Sequence, residues 1–352
     1  MLKVKINNEY EIKNKIDFEL KLDYNDILIK PIKSSLSSRN EVNLERSFYF
    51  PKSHQKWHGI PIIASNMDLV GTYEVYEILS KFKILTAFHK FYTKDEYLKM
   101  NLNKEYFMVS TGINDVDFDR LKDILDNIDV KFICIDVANG YMTKLIEYCI
   151  KIRTLYPNKV LVAGNIVCKE LTKELLSIGV DIVKCGIGSG SACTTRIKTG
   201  VGIPQISTNL ECSKEAHKNE GYIIADGGIT CAGDLGKAFA SGADFVMIGG
   251  QFAGHDENPG NIIEENGQKY KLFYGMSSST AMNNYYGNVN KYRTSEGRTV
   301  KIKYKGKLED TVLDYLGGLR STCTYTNTKS VEDLFKNVSF VRVNNQYNKI
   351  FT

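Results

Sequence analysis

Eight short apolar runs, rich in β-branched residues, recur along the chain from about residue 61 onward, and loop or amphipathic segments separate them. They are 61–65 (PIIAS), 84–88 (ILTAF), 106–110 (YFMVS), 132–136 (FICID), 160–163 (VLVA), 181–185 (DIVKC), 222–225 (YIIA) and 244–248 (DFVMI). Continuous apolar runs of this length belong to strands covered on both faces, and hence to a parallel sheet. Helical patterns lie between them, as at 143–156, 169–177 and 232–240. Eight strand–helix units in series predict an α/β fold closed into a (β/α)8 barrel. Periodicity alone leaves an open doubly wound sheet as the competing architecture; the number of units favours closure. All 352 residues are read as one catalytic barrel domain, a size such barrels commonly have.

In a barrel of this kind, active-site residues follow the C-terminal ends of the strands. Those positions hold Asn66-Met67-Asp68, His89-Lys90, Thr111-Gly112, the stretch 136–140, Gly164-Asn165, the stretch 186–196, Asp226-Gly227-Gly228 and Gly249-Gly250. Glycine closes turns anyway, but polar and permissive residues at all eight ends predict a working rim. Residues 255–307 break the barrel pattern. They are polar and turn-rich but carry Phe273, Tyr274, Tyr285, Tyr286 and Tyr292, which argues against a purely disordered loop and for a functional flap over that rim.

Other classes of function fit poorly. The net charge of +5, from 46 basic and 41 acidic residues, is small and scattered; it suits small anionic ligands and not nucleic acid. The N-terminus lacks an apolar signal region, and no run approaches the ~18 apolar residues of a membrane span, so a cytoplasmic protein is expected. The eight cysteines form no CxxC pair and read as free thiols in a reducing compartment. The five histidines have no metal-ligand spacing and no HExxH occurs, so a zinc enzyme is not expected. Trp57 reads as structural.

Three constellations carry chemistry. The first is CGIGSGSACTTR at 185–196. Its glycines let backbone N–H groups gather on an anion, or carbonyls on a cation. Cys193 stands there beside Ser191, Thr194, Thr195 and Arg196, a setting of the kind that lowers a thiol's pKa and makes a nucleophile. A lone cysteine is more often a small packed hydrophobe; the loop and its place on the rim favour the nucleophile. The second is Asp226-Gly227-Gly228 with Gly249-Gly250, after the seventh and eighth strands, where barrels often hold phosphate. Asp226 has a carboxylate for ribose hydroxyls, and two tight turns would explain the glycines equally well. The third is RTSEG at 293–297, where Glu296, brought over the pocket, could move a proton to a leaving group.

These residues, with PIIASNMD, DVANGY, KTGVG, DGGI, ADFVMIGG, KYKLFYGMSS and LGGLRSTCTY, resemble the GMP reductases of the IMP dehydrogenase/GMP reductase superfamily, from LDYNDIL at 22–28 to FVR at 340–342. The resemblance implies conversion of GMP and NADPH to IMP, ammonia and NADP+ in a homotetrameric barrel. It implies Cys193 as the nucleophile on the purine, with Thr195 and Glu296 as the pair that carries a proton to ammonia. By resemblance, GMP is held by Ser191, Asp226, Gly227, Gly228, Gly249 and Gly250, and by Gly275, Met276, Ser277, Arg293, Thr294, Ser295 and Gly297. The cofactor is matched by Ser38, Arg39, Lys90, Asp136, Val137 and Ala138, and by Ile187, Gly188, Met276, Tyr292 and Arg293. Ser321, Thr322, Cys323 and Thr324 complete that set, part of it from a neighbouring subunit. A monovalent cation, expected to be potassium, would sit on carbonyls of Gly188, Gly190 and Cys193 near Arg196. The chain departs from the usual family pattern at Ser65, Ser189 and Ala192. It shows no regulatory insert between the early strands, so an IMP dehydrogenase that has lost its insert is the main rival, and a non-catalytic nucleotide-binding barrel the second.

Overall fold

The computed structural model describes residues 16–276, 278, 280–281 and 295–344. Eight parallel strands close on themselves: β1 (Ile62–Ala64), β2 (Leu85–Phe88), β3 (Phe107–Thr111), β4 (Phe132–Asp136), β5 (Val160–Ile166), β6 (Ile182–Cys185), β7 (Tyr222–Asp226) and β8 (Phe245–Ile248). Neighbours in sequence are neighbours in the barrel, and β8 pairs with β1 to complete it. All eight apolar runs became barrel strands. Their side chains are buried on both faces, because helices cover the outside while the inside fills with side chains.

A helix follows each strand: Tyr73–Leu79, Lys94–Tyr97, Asp115–Asn127, Thr143–Leu155, Lys169–Ser177, Gln205–Lys218, Ala232–Ala240 and Leu308–Tyr325. The shortest has one turn and is held by a reciprocal cap: Glu96 N–H donates to Thr93 Oγ1, and Thr93 N–H donates to Glu96 Oε2 at 2.7 Å. Lys169–Ser177 turns Leu171, Leu175 and Leu176 inward at helical spacing.

The N-terminal end of the barrel is plugged by a hairpin, Arg46–Phe50 with Gln55–Gly59. Phe48, Phe50 and Trp57 from this hairpin pack on Phe132 and Phe245, with the Phe48 and Phe245 rings 4.4 Å apart. Trp57 is buried and donates from Nε1 to the Glu105 carbonyl at 2.6 Å, so it is structural. With one end sealed by aromatic packing, the opposite rim is left for ligands.

The polar stretch after β8 contains regular structure. Three antiparallel strands, β9 (Ile263–Glu265), β10 (Gln268–Tyr274) and β11 (Thr299–Lys303), form a sheet there. Phe273 packs in the main core. Lys271 is buried, its ammonium donating to the carbonyls of His255 (2.8 Å) and Asn258 (2.7 Å). Polarity therefore misled, because buried lysines here serve as backbone donors.

Candidate functional site on the C-terminal rim

A cavity of about 400 Å³ opens at the C-terminal ends of the strands, within the range of small-ligand sites. Its walls are residues 65–67, 136–138, 186–193 and 226–230, with Asn165, Lys184, Gly249, Gly250, Gly275, Met276, Thr195, Glu296 and Gly297. Six strand ends converge on it. The ends of β2 and β3, also expected there, do not line it. The Lys90 ammonium lies 3.3 Å from Asp117 instead. His89 stacks on Tyr92 at 4.1 Å, and burial pushes its imidazole down to about 4, which keeps it neutral.

Cys193, Thr195 and Glu296 form one hydrogen-bonded line. The Cys193 thiol donates to Thr195 Oγ1 at 3.2 Å, and that hydroxyl donates to Glu296 Oε2 at 2.8 Å. Thr195 and Glu296 are 101 residues apart and meet because the segment 295–298 folds back onto the glycine-rich loop. Thr194 N–H donates to the Glu296 carbonyl (2.7 Å), and Arg298 N–H to the Ala192 carbonyl (3.0 Å). Cys193 pairs with Gly297 as an isolated antiparallel bridge. All three side chains are half-buried, accessible from the cavity yet fixed by backbone bonds.

Arg196 does not play the part expected of it beside the thiol. Its guanidinium lies 3.3 Å from Asp23 and donates to the Ile203 carbonyl at 2.9 Å. Its stem covers Gly188, where an added Cβ would meet Arg196 Cγ at 2.6 Å and where φ is +80°. The arginine fixes the loop by packing and by an ion pair; the sulfur's own hydrogen-bond partner is Thr195.

Lys184 belongs to none of the three sequence constellations. It is 3% exposed, yet its ammonium lies 2.6 Å from Asp136 and 2.8 Å from Asp226. Burial opposes its charge, but the two carboxylates outweigh burial and hold its pKa above the ordinary lysine value. In Asp136, burial works against ionisation and the Lys184 ammonium prevails, leaving the carboxyl below its usual range. Asn165 adds to this cluster, its amide donating to Asp226 Oδ2 and to the Gly186 carbonyl, both at 2.8 Å. A register shift between Gly164 and Ile166 interrupts the ladder beside Asn165, a common device for re-aiming a side chain at a site. The signal for Lys184 was in view: one charge inside an otherwise apolar strand.

Of the expected substrate set, Ser191, Asp226, Gly227, Gly228, Gly249, Gly250, Gly275, Met276 and Gly297 line the cavity. Ser295 lies beside it in sequence but does not line it; its hydroxyl donates to the Gly297 carbonyl at 2.8 Å. Ser277, Tyr292, Arg293 and Thr294 lie outside the described residues.

The expected cofactor set divides in two. Asp136, Val137, Ala138, Ile187, Gly188 and Met276 line the cavity. Ser38 and Arg39 start the short 3-10 turn Arg39–Glu41, which packs against the helix Leu308–Tyr325 that carries Ser321–Thr324, away from the cavity walls. Cys323 is fully buried, and its thiol packs in the core.

Ser65, where the chain departs from the usual family pattern, stands at the end of β1. It is 5% exposed, lines the cavity, and its hydroxyl has no partner among the described residues.

A (β/α)8 barrel with a thiol–hydroxyl–carboxylate line in a rim cavity defines a class: barrels equipped for covalent chemistry on a small molecule. The chain matches the family model described as IMP dehydrogenase / GMP reductase domain over residues 21–349. It is 49% identical over 343 residues to GMP reductase 1 of Homo sapiens, covering 96% of this chain and 99% of that protein. It is 50% identical over 343 residues to a GMP reductase of Escherichia coli O157:H7, with the same coverage. The chain belongs to the IMP dehydrogenase/GMP reductase family.

Proposed function

We propose that this enzyme reduces GMP to IMP and ammonia with NADPH as hydride donor, in purine nucleotide interconversion and salvage. The observation that carries the reading is the Cys193–Thr195–Glu296 line in the rim cavity, in a chain about half identical to GMP reductases over nearly its whole length. The retained line also speaks against a non-catalytic nucleotide-binding barrel.

Displacing an amine from an aromatic ring requires a nucleophile on the carbon and a proton on the nitrogen. Cys193 sulfur adds to carbon 2 of the guanine ring. The carbon–nitrogen bond then breaks, and the departing amine takes a proton through Thr195 Oγ1, whose hydroxyl is joined to Glu296. NADPH supplies the hydride to carbon 2 when bound. The carbon–sulfur bond breaks last, leaving IMP and a free Cys193. Asp226, pinned by Lys184 and Asn165, is placed to accept from the ribose hydroxyls, while Ser191 and the glycine turns at 227–228 and 249–250 hold the phosphate. Residues 255–307 act as the flap, with Met276 in the pocket wall; the resemblance adds Arg293 and Thr294 to the GMP contacts, and both lie outside the described residues.

The residues present fit the cofactor in part: Asp136, Val137, Ala138, Ile187 and Gly188 line the same cavity as Cys193, and Asp136 has a fixed carboxylate. Ser38, Arg39 and Ser321–Thr324 reach a nicotinamide cofactor only from a neighbouring subunit, which a homotetramer would provide. The glycine-rich loop also fits a monovalent cation such as potassium. Among the described residues no three His, Cys, Asp or Glu side chains converge to hold a metal, so the neutral carbonyls of Gly188, Gly190 and Cys193 would hold it. Arg196 stands beside the loop, its guanidinium engaged by Asp23. Among the described residues no helix is long and apolar enough to cross a membrane; a cytoplasmic setting agrees with the free thiols.

The decisive assay follows nicotinamide absorbance with both substrate pairs. NADPH should be consumed only when GMP is present, with IMP and ammonia formed. NADH formation from IMP and NAD+ would replace this reading with the dehydrogenase. Glu296→Gln should lower kcat by roughly 10²–10⁴-fold, the usual worth of a placed proton carrier, with GMP affinity retained in equilibrium titration. Ser65→Ala should raise the KM for GMP by about 2–10-fold, the worth of one hydrogen bond, without loss of melting temperature. An unchanged KM would show that the ligand leaves that hydroxyl alone.

A further inference from the structure

The ammonium of Lys305 lies behind the turn that carries Gly249 and Gly250. It donates to the carbonyls of Gly250 (3.3 Å) and Gln251 (3.1 Å) and to Gln251 Oε1 (3.3 Å). Its backbone is tied to the same region: Lys305 N–H donates to the Gly254 carbonyl, and Asp256 N–H to the Gly306 carbonyl, both at 2.9 Å. The ammonium is therefore anchored independently of the flap's tip. Burial alone shifts it, down to about 8, with no carboxylate close enough to offset that loss.

A trans peptide is planar, with its N–H opposite its C=O. A cation that fixes the Gly250 carbonyl on one side turns the Gln251 N–H to the other. Gly249 and Gly250 line the cavity, and an added Cβ at Gly250 would meet Ser191 Oγ at 2.6 Å. The turn's far side therefore adjoins the serine assigned to phosphate. We propose that Lys305 is a positioning residue for this turn, bracing its carbonyls from outside so that the Gln251 N–H, opposite the braced Gly250 carbonyl, stays set for the phosphate of GMP; the next N–H, that of Phe252, closes the turn on the Gly249 carbonyl at 2.9 Å. The proposal rests on the reading of the cavity as a GMP site. Lys305 and Glu296 flank β11 on either side, so one strand carries both the proton relay and the brace.

The test compares Lys305→Met, Lys305→Arg and wild type by calorimetric titration with GMP and with guanosine, which lacks the phosphate. The methionine variant should bind GMP at least about 10-fold more weakly, the scale of a charged hydrogen-bond donor lost, with guanosine binding unchanged. Its kcat at saturating GMP and its KM for NADPH should stay within about 2-fold, and arginine should restore most of the GMP affinity. Wild-type GMP affinity should also fall as pH rises through about 8, because a lysine with a lowered pKa loses its charge there, while Lys305→Arg stays flat. The titratable group that faces Lys305 is His255, held neutral near about 4 by burial first and by Lys305 second; the carboxylates next along the chain are engaged elsewhere, Asp256 by the Tyr304 hydroxyl and Glu257 by the Leu308 N–H. Should the methionine variant fail to fold, Lys305→Gln gives the same comparison. Unchanged GMP affinity, or equal losses for GMP and guanosine, would overturn the proposal. Failure of wild type to bind GMP would sink the functional reading instead.

Discussion

Cys193→Ala is expected to abolish turnover while leaving GMP binding nearly intact. Loss of a catalytic nucleophile costs at least roughly 10⁴-fold in rate, because no other group in the site can form the covalent bond. The sulfur is half-buried and its described side-chain hydrogen bond goes to Thr195, so the folded state should lose less than about 1 kcal/mol. The phosphate and ribose contacts are assigned to other groups, Asp226, the glycine turns after β7 and β8, and Ser191, so equilibrium titration should return a GMP affinity close to that of wild type. Cys193→Ser sharpens the result: its hydroxyl can keep the Thr195 contact yet is a far poorer nucleophile at neutral pH, so it should be as inactive as alanine. Near-normal NADPH oxidation by either variant would show that the reaction does not pass through this sulfur.

The second large effect concerns stability as well as rate. Lys184→Met should destabilise the protein by about 3 kcal/mol, the low end for removing one partner of a buried ion pair. The low end applies because the side chains of Asp136 and Asp226 keep 30% and 19% of their exposure. Activity should fall too, since Asp226 loses the ammonium that sets its carboxylate. The pH dependence gives a separate signature. In wild type, Asp136 has a lowered pKa, so its contribution is present above the unfolded value and is lost as pH falls below about 4. Without the ammonium, burial, the largest influence, is opposed only by the Asn66 hydrogen bond and by Lys90, so that pKa rises and the ionised carboxylate becomes a penalty at neutral pH. The variant should gain stability as pH falls from about 7 toward 5, where wild type does not. Denaturant melts at three pH values suffice. Identical pH profiles for the two proteins would remove Lys184 from its role.

Most of the architecture was legible because burial on both faces leaves a continuous apolar run, and eight such runs can close only in a few ways. The runs at 132–136 and 181–185 led straight to Asp136 and to the loop of Cys193, since a strand's end fixes where the next residues stand on the rim. The small sheet inside residues 255–307 was not legible, for a related reason. Polarity is read as exposure, and Lys271 and His255 are polar yet buried, the Lys271 ammonium donating to backbone carbonyls and His255 Nε2 meeting the Thr311 hydroxyl. Lys184 and Lys305 escaped notice similarly: a lysine's partner is set by what folds beside it, and nothing near either in sequence announces two carboxylates or a row of carbonyls.

The chain's own order of residues determined the barrel, the rim, and the residue types able to carry the chemistry, because periodicity and strand-end position are local properties. Which of those residues meet was decided by tertiary structure. Thr195 and Glu296 lie 101 residues apart, and only the return of the segment 295–298 onto the glycine-rich loop closes their 2.8 Å bond. The same folding sent Arg196 to Asp23, and withdrew Lys90 and Cys323 from the cavity. Contact between distant segments depends on packing and on backbone hydrogen bonds across the fold, and these act through space without leaving a pattern along the sequence.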